Sequence, residues 1–317
     1  MKKTRKLYGI YFLFVALLSL TPVVSSLLLW GKESYVSAIV SQSSLGLGAG
    51  KRGVVTVINP ETGDREVVSE RDYLCGVVAS QMPADYDDEA IKAQAVVSYT
   101  LIKYRRIYGT PAETQSYITK KELKNSWGED YSVNYSRLCQ LVDSVYGEYI
   151  AYNGEPILAA YHDFSCGMTE DGNNIWNGDY PYLAATDSRD DVCAEDYRST
   201  VSLSAEQFSG ICRDKLGIAV KGEPSEWVVG CVRSDAGYVM SYTLCGSVVG
   251  GQRMRNVFGL RSACFTLKFE DKSFVFDVRG SGHGAGMSKF GANQMALDGK
   301  NYREIISHYY KDVKVIS

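Results

Sequence analysis

The chain has 317 residues, of which 45% are hydrophobic and 22% are charged, and its formal net charge is −3. This is a globular composition, long enough for one large or two modest domains, and its charge excludes the strong positive field of most nucleic-acid-binding proteins. With three histidines and no C-x-x-C pair, the sequence carries no metal-site signature, and we expect neither a metal nor another cofactor.

The N-terminus carries the clearest local signal. A basic tail at residues 1–6 precedes an uncharged run at 7–31, which is long enough to cross the ~30 Å core of a bilayer as a helix. The basic flank predicts a cytoplasmic tail, so the run is interpreted as a single-pass signal-anchor of the cell membrane, with the bulk of the chain extracytoplasmic. A cleaved signal peptide is the competing interpretation, although no clean A-x-A site follows the run.

Eight cysteines are spread along the chain from Cys75 to Cys264. An even number in an extracytoplasmic protein permits disulfides, and the sequence leaves their pairing open. Cys75 falls on the apolar face of a predicted helix and is interpreted as a small core residue.

The folded part is predicted to begin after a linker. Residues 32–52 are rich in Ser, Gly and Ala, which is typical of a flexible connection to a domain at 53–317. Within that domain, β-type runs at 54–58 and 65–68 flank a Pro-Glu-Thr-Gly turn. They predict a hairpin at the start of the fold.

Two consecutive helices are predicted next. The first follows the N-cap Ser69 and ends before Met82-Pro83, and the second is capped by Asp87 or Asp88. The turn at 81–86 therefore lies between packed helices. A side chain at the carboxyl end of the first helix is expected to project into a cleft.

The middle of the chain is less regular. Residues 110–133 are polar and only partly helical, and a short amphipathic helix is predicted at 136–145. Asn153-Gly154 then suits a type I′ turn, which predicts a β-hairpin running to residue 161. The polar loop after that hairpin carries three candidate site residues: His162, Ser165 and Glu170.

A glycine-rich loop organises the C-terminal part. It surrounds His283 with four glycines, follows a β-type run at 274–278 and precedes a helix at 288–297. Its glycines permit positive φ and are expected to leave backbone N–H groups free for a ligand. Because helices and antiparallel hairpins are mixed without βαβ alternation, the fold class is predicted to be α+β.

Four ordered motifs resemble the SpoIID/LytB family, which comprises stage II sporulation protein D and its amidase-enhancer relatives. The resemblance runs from about residue 54 to the end of the chain. Its motifs are Gly76-Val-Val with Met82-Pro and Glu89-Ala-Ile-Lys-Ala-Gln-Ala, His162-Asp-Phe-Ser with Thr169-Glu, Arg255 with Gly259-Leu-Arg-Ser, and Ser281-Gly-His-Gly-Ala-Gly-Met-Ser-Lys-Phe-Gly-Ala.

The resemblance implies a peptidoglycan lytic transglycosylase. In such an enzyme one glutamate protonates the glycosidic oxygen and then takes the proton of the muramyl C6 hydroxyl. The resemblance also implies a glycan-binding cleft between the glycine loop and the helix turn at 81–94. The substrate-binding positions that it implies are Lys92, Gln94, His162, Ser165, Glu170, His283 and Ser288.

The catalytic position departs from the family pattern. The family's glutamate stands immediately before Met-Pro, where this chain has Gln81. A carboxamide neither donates a proton near neutral pH nor acts as a base. The family's Gln after Met-Ser is Lys289 here, and Tyr99 and Cys166 replace a family Arg and Gly.

Three hypotheses follow from this departure. The first, favoured by the residues, is a sporulation or septal wall protein that binds peptidoglycan strands or scaffolds other wall enzymes without cleaving glycan. The second is an active transglycosylase that uses another carboxylate, Asp85 or Glu170, as the acid. The third is a partner of a cell-wall amidase. Whether the chain is an enzyme therefore stays open at this point.

Overall fold

The computed structural model describes residues 38–39, 53–58, 65–108, 116–176 and 178–317. The predicted tail and signal-anchor, residues 1–31, lie outside this set. Within the described ranges, no helix is both long and apolar enough to cross a membrane. The helices are α1 (Glu70–Gln81), α2 (Asp88–Tyr108), α3 (Lys120–Trp127), α4 (Tyr131–Ser144), α5 (Ala205–Ile211), α6 (Gly251–Phe258), α7 (Lys289–Leu297) and α8 (Tyr302–Tyr309).

The strands form small, mostly antiparallel sheets, so the predicted α+β class is confirmed. The strands are β1 (Ala38–Ile39), β2 (Val54–Ile58), β3 (Arg65–Ser69), β4 (Tyr149–Tyr152), β5 (Glu155–Pro156), β6 (Tyr161–His162), β7 (Arg198–Ser204), β8 (Val228–Arg233), β9 (Val239–Leu244), β10 (Ser247–Gly250), β11 (Phe265–Glu270), β12 (Ser273–Arg279), β13 (Met287–Ser288) and β14 (Lys314–Ile316). The sheets run β1-β2-β3, β10-β9-β8, β11-β12-β7, β13-β6 and β14-β4-β5. Strand β1, which lies inside the predicted linker, pairs with β2.

The predicted helix pair is confirmed with its caps. Ser69 Oγ accepts a hydrogen bond from Asp72 N at 3.0 Å, and α1 ends at Gln81, before Met82-Pro83. Asp87 caps α2, because its Oδ1 accepts from Glu89 N at 2.8 Å. Side-chain acceptors at these positions satisfy N–H groups that have no partner within the helix.

The predicted hairpin turn is also confirmed, but its second strand is shorter than expected. Asn153 and Gly154 have φ of 51° and 87°, as a type I′ turn requires. Strand β5 ends at Pro156, and residues 157–160 then run through the core fully covered. The helix predicted at 136–145 begins earlier, at Tyr131, and is now α4.

Two large hydrophobic cores hold these elements. The larger one lies among α1, α2, α4, the buried segment 157–160 and the terminal helices. The smaller one lies between the β7–β12–β11 sheet, the β8–β10 sheet and helices α5 and α6. Stacked aromatics dominate it, and the Phe208 and Phe274 ring centroids are 3.9 Å apart.

One parallel pair of strands positions the candidate site. Strand β6 pairs with β13 so that Tyr161 faces Met287 and His162 faces Ser288. The residues that follow each strand, Asp163 and Lys289, therefore leave the pair side by side. Helix α2 packs against α7 and α1, which brings the carboxyl end of α1 to the same place.

Candidate functional site

The site centres on Gln81, which stands where the resemblance to the SpoIID/LytB family predicts a catalytic glutamate. Gln81 is half-buried at the last position of α1. Its Oε1 accepts a hydrogen bond from Lys289 Nζ at 3.1 Å, and its Nε2 donates to Ser80 Oγ at 3.3 Å. Two of the four positions at which the chain departs from the family pattern thus touch one another, although 208 residues separate them.

Lys289 is also paired with a carboxylate that the sequence did not single out. Its Nζ lies 2.7 Å from Asp163 Oδ1, and Asp163 Oδ2 accepts from Ser281 Oγ at 2.7 Å. Partial burial raises the pKa of the Asp163 carboxyl, but the Lys289 ammonium and the Ser281 hydroxyl outweigh it, so the pKa lies below its ordinary value. Asp163 is therefore ionised near neutral pH. We call Gln81, Lys289 and Asp163 the polar triad.

Two half-buried tyrosines lie next to the polar triad. The Lys289 ammonium is 6.0 Å from the centre of the Tyr161 ring. Tyr86 lies in the turn that follows Gln81, and burial, together with the negative charges of Asp85, Asp163 and Asp191, raises its pKa. The triad thus combines hydrogen-bonding groups of both kinds with nearby aromatic rings.

The turn that carries Tyr86 is held in place by a side chain from α4. Arg137 donates to the carbonyls of Ala84 and Tyr86 at 2.6 and 2.8 Å, and its guanidinium is paired with Asp88. Asp85 lies exposed in this turn. The guanidinium gives hydrogen-bond partners to two carbonyls that lie outside both helices, so the turn between α1 and α2 is ordered.

The glycine loop packs against the protein itself. Gly284 and Gly286 have positive φ, and a Cβ at Gly286 would collide with the Ala160 carbonyl. The expectation of free N–H groups is wrong for a large part of this loop, because neighbouring carbonyls approach closely and accept them. The loop's N–H groups donate from Ser281 to Phe164 O, from Gly282 to Arg261 O and from Met287 to Ala160 O.

The two histidines of the site lie inside. His162 and His283 are 4% and 8% exposed, and their ring centroids are 5.8 Å apart. His162 Nδ1 contacts Ala285 O at 3.1 Å, whereas His283 Nδ1 accepts from Ala285 N at 3.0 Å. Burial and the neighbouring His283 lower the pKa of His162 to about 3, so this imidazole is neutral near pH 7. Trp176 lies edge-on to His283 with centroids 5.1 Å apart.

Ser165 and Ser288 meet at a buried carboxylate. Asp191, which has no exposed surface, accepts from Ser165 N at 2.6 Å and from Ser288 Oγ at 2.7 Å. Burial raises the pKa of Asp191, while its hydrogen bonds with Ser165 and Ser288 lower it, and burial prevails. Ser288 also caps α7 by accepting from Gly291 N at 3.0 Å. Asp191 therefore joins the His162 loop to the start of α7.

Glu170 is likewise buried and fully engaged. Its Oε1 accepts from Asp171 N at 2.8 Å and from Asn174 Nδ2 at 2.9 Å, and its Oε2 accepts from Ser234 Oγ. With 2% of its surface exposed, it anchors its loop against the turn after β8. This arrangement does not present Glu170 as an acid to a polymer at the surface.

The two predicted residues of α2 lie apart from the polar triad's contacts. Gln94 has no exposed surface, and its Nε2 donates to Ser98 Oγ at 3.0 Å. Lys92 Nζ lies 2.6 Å from Glu89 Oε1, and Glu89 Oε2 accepts from Tyr302 N at 2.8 Å. In this arrangement Gln94 offers no surface to a ligand, and Lys92 supports the start of α8.

Sequence reasoning missed Asp163 and Asp191. Asp163 lies within the His162-Asp-Phe-Ser motif, but only His162 and Ser165 of that motif were predicted to bind substrate. Asp191 lies in an acidic stretch, 187–191, that is typical of a solvated surface. Only the simultaneous change at positions 81 and 289 could have indicated that an acidic partner for Lys289 lay beside them.

The polar triad can bind a ligand through hydrogen bonds and through its two charged groups. Gln81 has no acidic proton, and Asp163 is held ionised by Lys289. An amide, an ammonium and a carboxylate suit the hydroxyl and acetamido groups of a glycan. Within the ranges that the structure describes, no cluster of three or more His, Cys, Asp or Glu could hold a metal ion.

Comparison with known proteins places the chain in a family. The family model of stage II sporulation protein, SpoIID, matches residues 60–152. The chain is 32% identical to stage II sporulation protein D of Bacillus subtilis and 31% identical to that of Bacillus amyloliquefaciens, over 79% of this chain and 75% of each relative. It is also 26% identical to the amidase enhancer of Bacillus subtilis, over 77% of this chain and 40% of that protein.

The family model covers the helix pair that carries Gln81. Identity above 30% across three quarters of a relative is more than a shared fold produces by chance. The chain therefore belongs to the SpoIID/LytB family of stage II sporulation protein D and the amidase enhancer.

Proposed function

We propose that this protein binds peptidoglycan glycan strands in sporulation or septal wall remodelling and does not cleave them. The polar triad, flanked by Tyr86 and Tyr161, forms the centre of its binding surface. We further propose that residues 7–31 anchor it in the cell membrane, with the domain at 53–317 on the outer side, where peptidoglycan lies.

One observation supports the proposal that the protein does not cleave glycan. The residue at the family's glutamate position is an amide whose oxygen is already bonded to Lys289. A transglycosylase needs one group that first gives and then takes a proton, and loss of such acid–base help typically costs ~10²–10⁴-fold in rate. Because the ion pair with Lys289 keeps Asp163 ionised, that carboxylate has no proton to donate and does not replace the missing acid.

Several features support retention of glycan binding. Lys289 Nζ lies within 3.1 Å of both Gln81 Oε1 and Asp163 Oδ1, and the three side chains are only partly covered. They offer donors and acceptors in fixed positions, and ordered polar groups lose little entropy on binding. The half-buried rings of Tyr86 and Tyr161 offer flat apolar faces against which sugar rings can stack.

The test uses residues 32–317, which keep strand β1, and denuded glycan strands. We expect the protein to sediment with the strands and to release no anhydro-muropeptides, as read by mass spectrometry. The matched control is Lys289→Met, which removes the donor between Gln81 and Asp163 and should weaken sedimentation. Release of anhydro products by the unaltered protein would overturn the proposal.

A transglycosylase with a replaced acid is the alternative within the same site. Asp163 favours it only as a base, because its pKa is lowered, and an acid would still be required. Asp163→Asn separates the cases. If anhydro products appear and this variant abolishes them, Asp163 is catalytic.

Partnership with an amidase is the second candidate function. It rests on the 26% identity to a protein named amidase enhancer, which extends over 77% of this chain. Here the readout is hydrolysis of the stem peptide by a purified cell-wall amidase with and without this protein. Stimulation that persists in Lys289→Met would assign the effect to a surface other than the polar triad.

A further inference from the structure

Two buried cysteines on neighbouring helices are in contact. The Sγ atoms of Cys75 on α1 and Cys139 on α4 are 3.4 Å apart. Cys75 has no exposed surface, and Cys139 has 7%. A disulfide bond length is about 2.0 Å, so a shift of less than 2 Å would bring the sulfurs to bonding distance.

The two helices that carry these cysteines are antiparallel, and residues one turn apart on α1 face residues one turn apart on α4. One turn before Cys75, Arg71 donates through Nε and Nη2 to both carboxylate oxygens of Asp143, at 2.8 and 2.7 Å. Asp143 lies one turn after Cys139. The register of this two-bond ion pair repeats at the cysteines, so their contact follows from the packing of α1 on α4.

The surroundings also favour ionisation of one of the two thiols. Contact with Cys75 lowers the pKa of Cys139, Tyr135 and Arg71 lower it further, and burial opposes them. Contact with Cys139 and burial raise the pKa of Cys75. Cys139 is thus the member of the pair that reacts as a thiolate.

We propose that Cys75 and Cys139 form a disulfide in the mature protein and tie α1 to α4. The bond would close a loop whose ends are 64 residues apart and that contains all of α2. It would hold the helix whose last residue is Gln81. The proposal rests on the helix register and the sulfur contact, and it is independent of what the protein binds.

The chemistry is an exchange with a disulfide oxidant, such as oxidised glutathione or a thiol–disulfide oxidoreductase. The Cys139 thiolate attacks one oxidant sulfur and releases one thiol. The Cys75 sulfur, on losing its proton, attacks the Cys139 sulfur of the mixed disulfide and releases the second thiol. Two cysteine thiols thereby lose two electrons and two protons, and the oxidant is reduced to two thiols. Because both sulfurs are covered, the exchange takes place during folding or during brief separation of α4 from α1.

The test is a disulfide map of the full chain after equilibration with oxidised glutathione. Remaining thiols are blocked with N-ethylmaleimide in denaturant, and the protein is digested without reduction. We expect one peptide that joins Cys75 to Cys139, two hydrogens lighter than its parts, which disappears on reduction. Cys193 and Cys231 are exposed and serve as internal controls for labelling.

Two results decide the proposal. In the unaltered chain, recovery of Cys75 as a blocked thiol, or its linkage to any cysteine other than Cys139, overturns it. In Cys139→Ala, recovery of Cys75 as a blocked thiol supports it, because the remaining cysteines then fail to replace the partner. The map of the unaltered chain stands even if the variant fails to fold.

Discussion

The polar triad and the buried carboxylate Asp191 make an instructive pair of regions. Both use an aspartate to join the His162 loop to the beginning of α7, through Lys289 in one and through Ser288 in the other. The triad is partly exposed to solvent and contains Gln81 and Lys289, two of the side chains that depart from the family pattern. The Asp191 region is fully covered, and the two family-matching serines there keep their hydrogen bonds.

The difference separates two groups of residues. The buried polar residues that hold the loops in place, such as Asp191 and Glu170, form what we call the frame, and the partly exposed residues of the triad form the surface that meets a ligand. Most family-matching residues that were predicted to bind substrate are buried and hold loops, as Glu170 does with three donors. Buried polar groups of this kind are costly to change, because every partner loses its hydrogen bond. Partly exposed groups such as Gln81 and Lys289 can change together without disturbing the fold.

The largest effect is expected from restoring an acid at position 81. In Gln81→Glu alone, the introduced carboxyl would sit within hydrogen-bonding distance of Lys289, which would lower its pKa and keep it ionised. In Gln81→Glu with Lys289→Gln, the ammonium is gone and the charge of Asp163 raises the pKa of the introduced carboxyl. We expect release of anhydro-muropeptides to rise by ~10²–10⁴-fold in the double variant and much less in the single one.

The higher activity expected of the double variant tests whether Lys289 controls the protonation of a carboxyl at position 81. Mass spectrometry of released products, at equal protein and equal strand binding, gives the rates. Equal activity of the single and double variants would mean that Lys289 does not control position 81. Activity in neither, with binding intact, would mean that cleavage has been lost at more than this position.

Much of the local structure was accessible from the sequence, because its causes are local. Ser69 and Asp87 are side-chain caps within three residues of their partners, and Asn153-Gly154 adopts positive φ without help from elsewhere. The four motifs also led to the correct family. Hairpin and helix ends were less accurate, because Pro156 and Tyr131 are placed by packing as well as by propensity.

The site itself could not be assembled in the same way. Asp191 has Ser165 and Ser288 as partners 26 and 97 residues away, and nothing near it in sequence marks it as the buried carboxylate of its acidic stretch. The glycine loop was expected to let a ligand approach its backbone, yet Tyr238 and Ala160 occupy the space beside Gly284 and Gly286. Glycine permits close approach, but the sequence does not say what approaches.

A smaller but clear effect is expected from removing the frame's carboxylate. Asp191→Ala would leave the Ser165 N–H and the Ser288 hydroxyl buried without their acceptor, which should lower the free energy of unfolding by about 3 kcal/mol. Urea denaturation measures it. Asp190→Ala is the matched control, since Asp190 is exposed and its loss should cost about 0.5 kcal/mol or less. Equal stability of the two variants would remove Asp191 from the frame.

The smallest expected effect is a pH dependence of the free energy of unfolding, which arises from the buried His162 and not from the polar triad. His162 faces His283, with Asp163 and Lys289 nearby, and its pKa of about 3 lies below the ordinary value of 6.5, chiefly because it is buried. The unfolded chain therefore takes up a proton below pH 6.5 that the folded chain refuses, and stability falls as the pH drops toward 3. Between pH 7.5 and 5.5 this loss amounts to about 1.4 kcal/mol. In His162→Gln, the free energy of unfolding should fall by about 1.4 kcal/mol less between pH 7.5 and 5.5 than in the unaltered chain. An equal fall in both proteins would mean that His162 takes up its proton while folded.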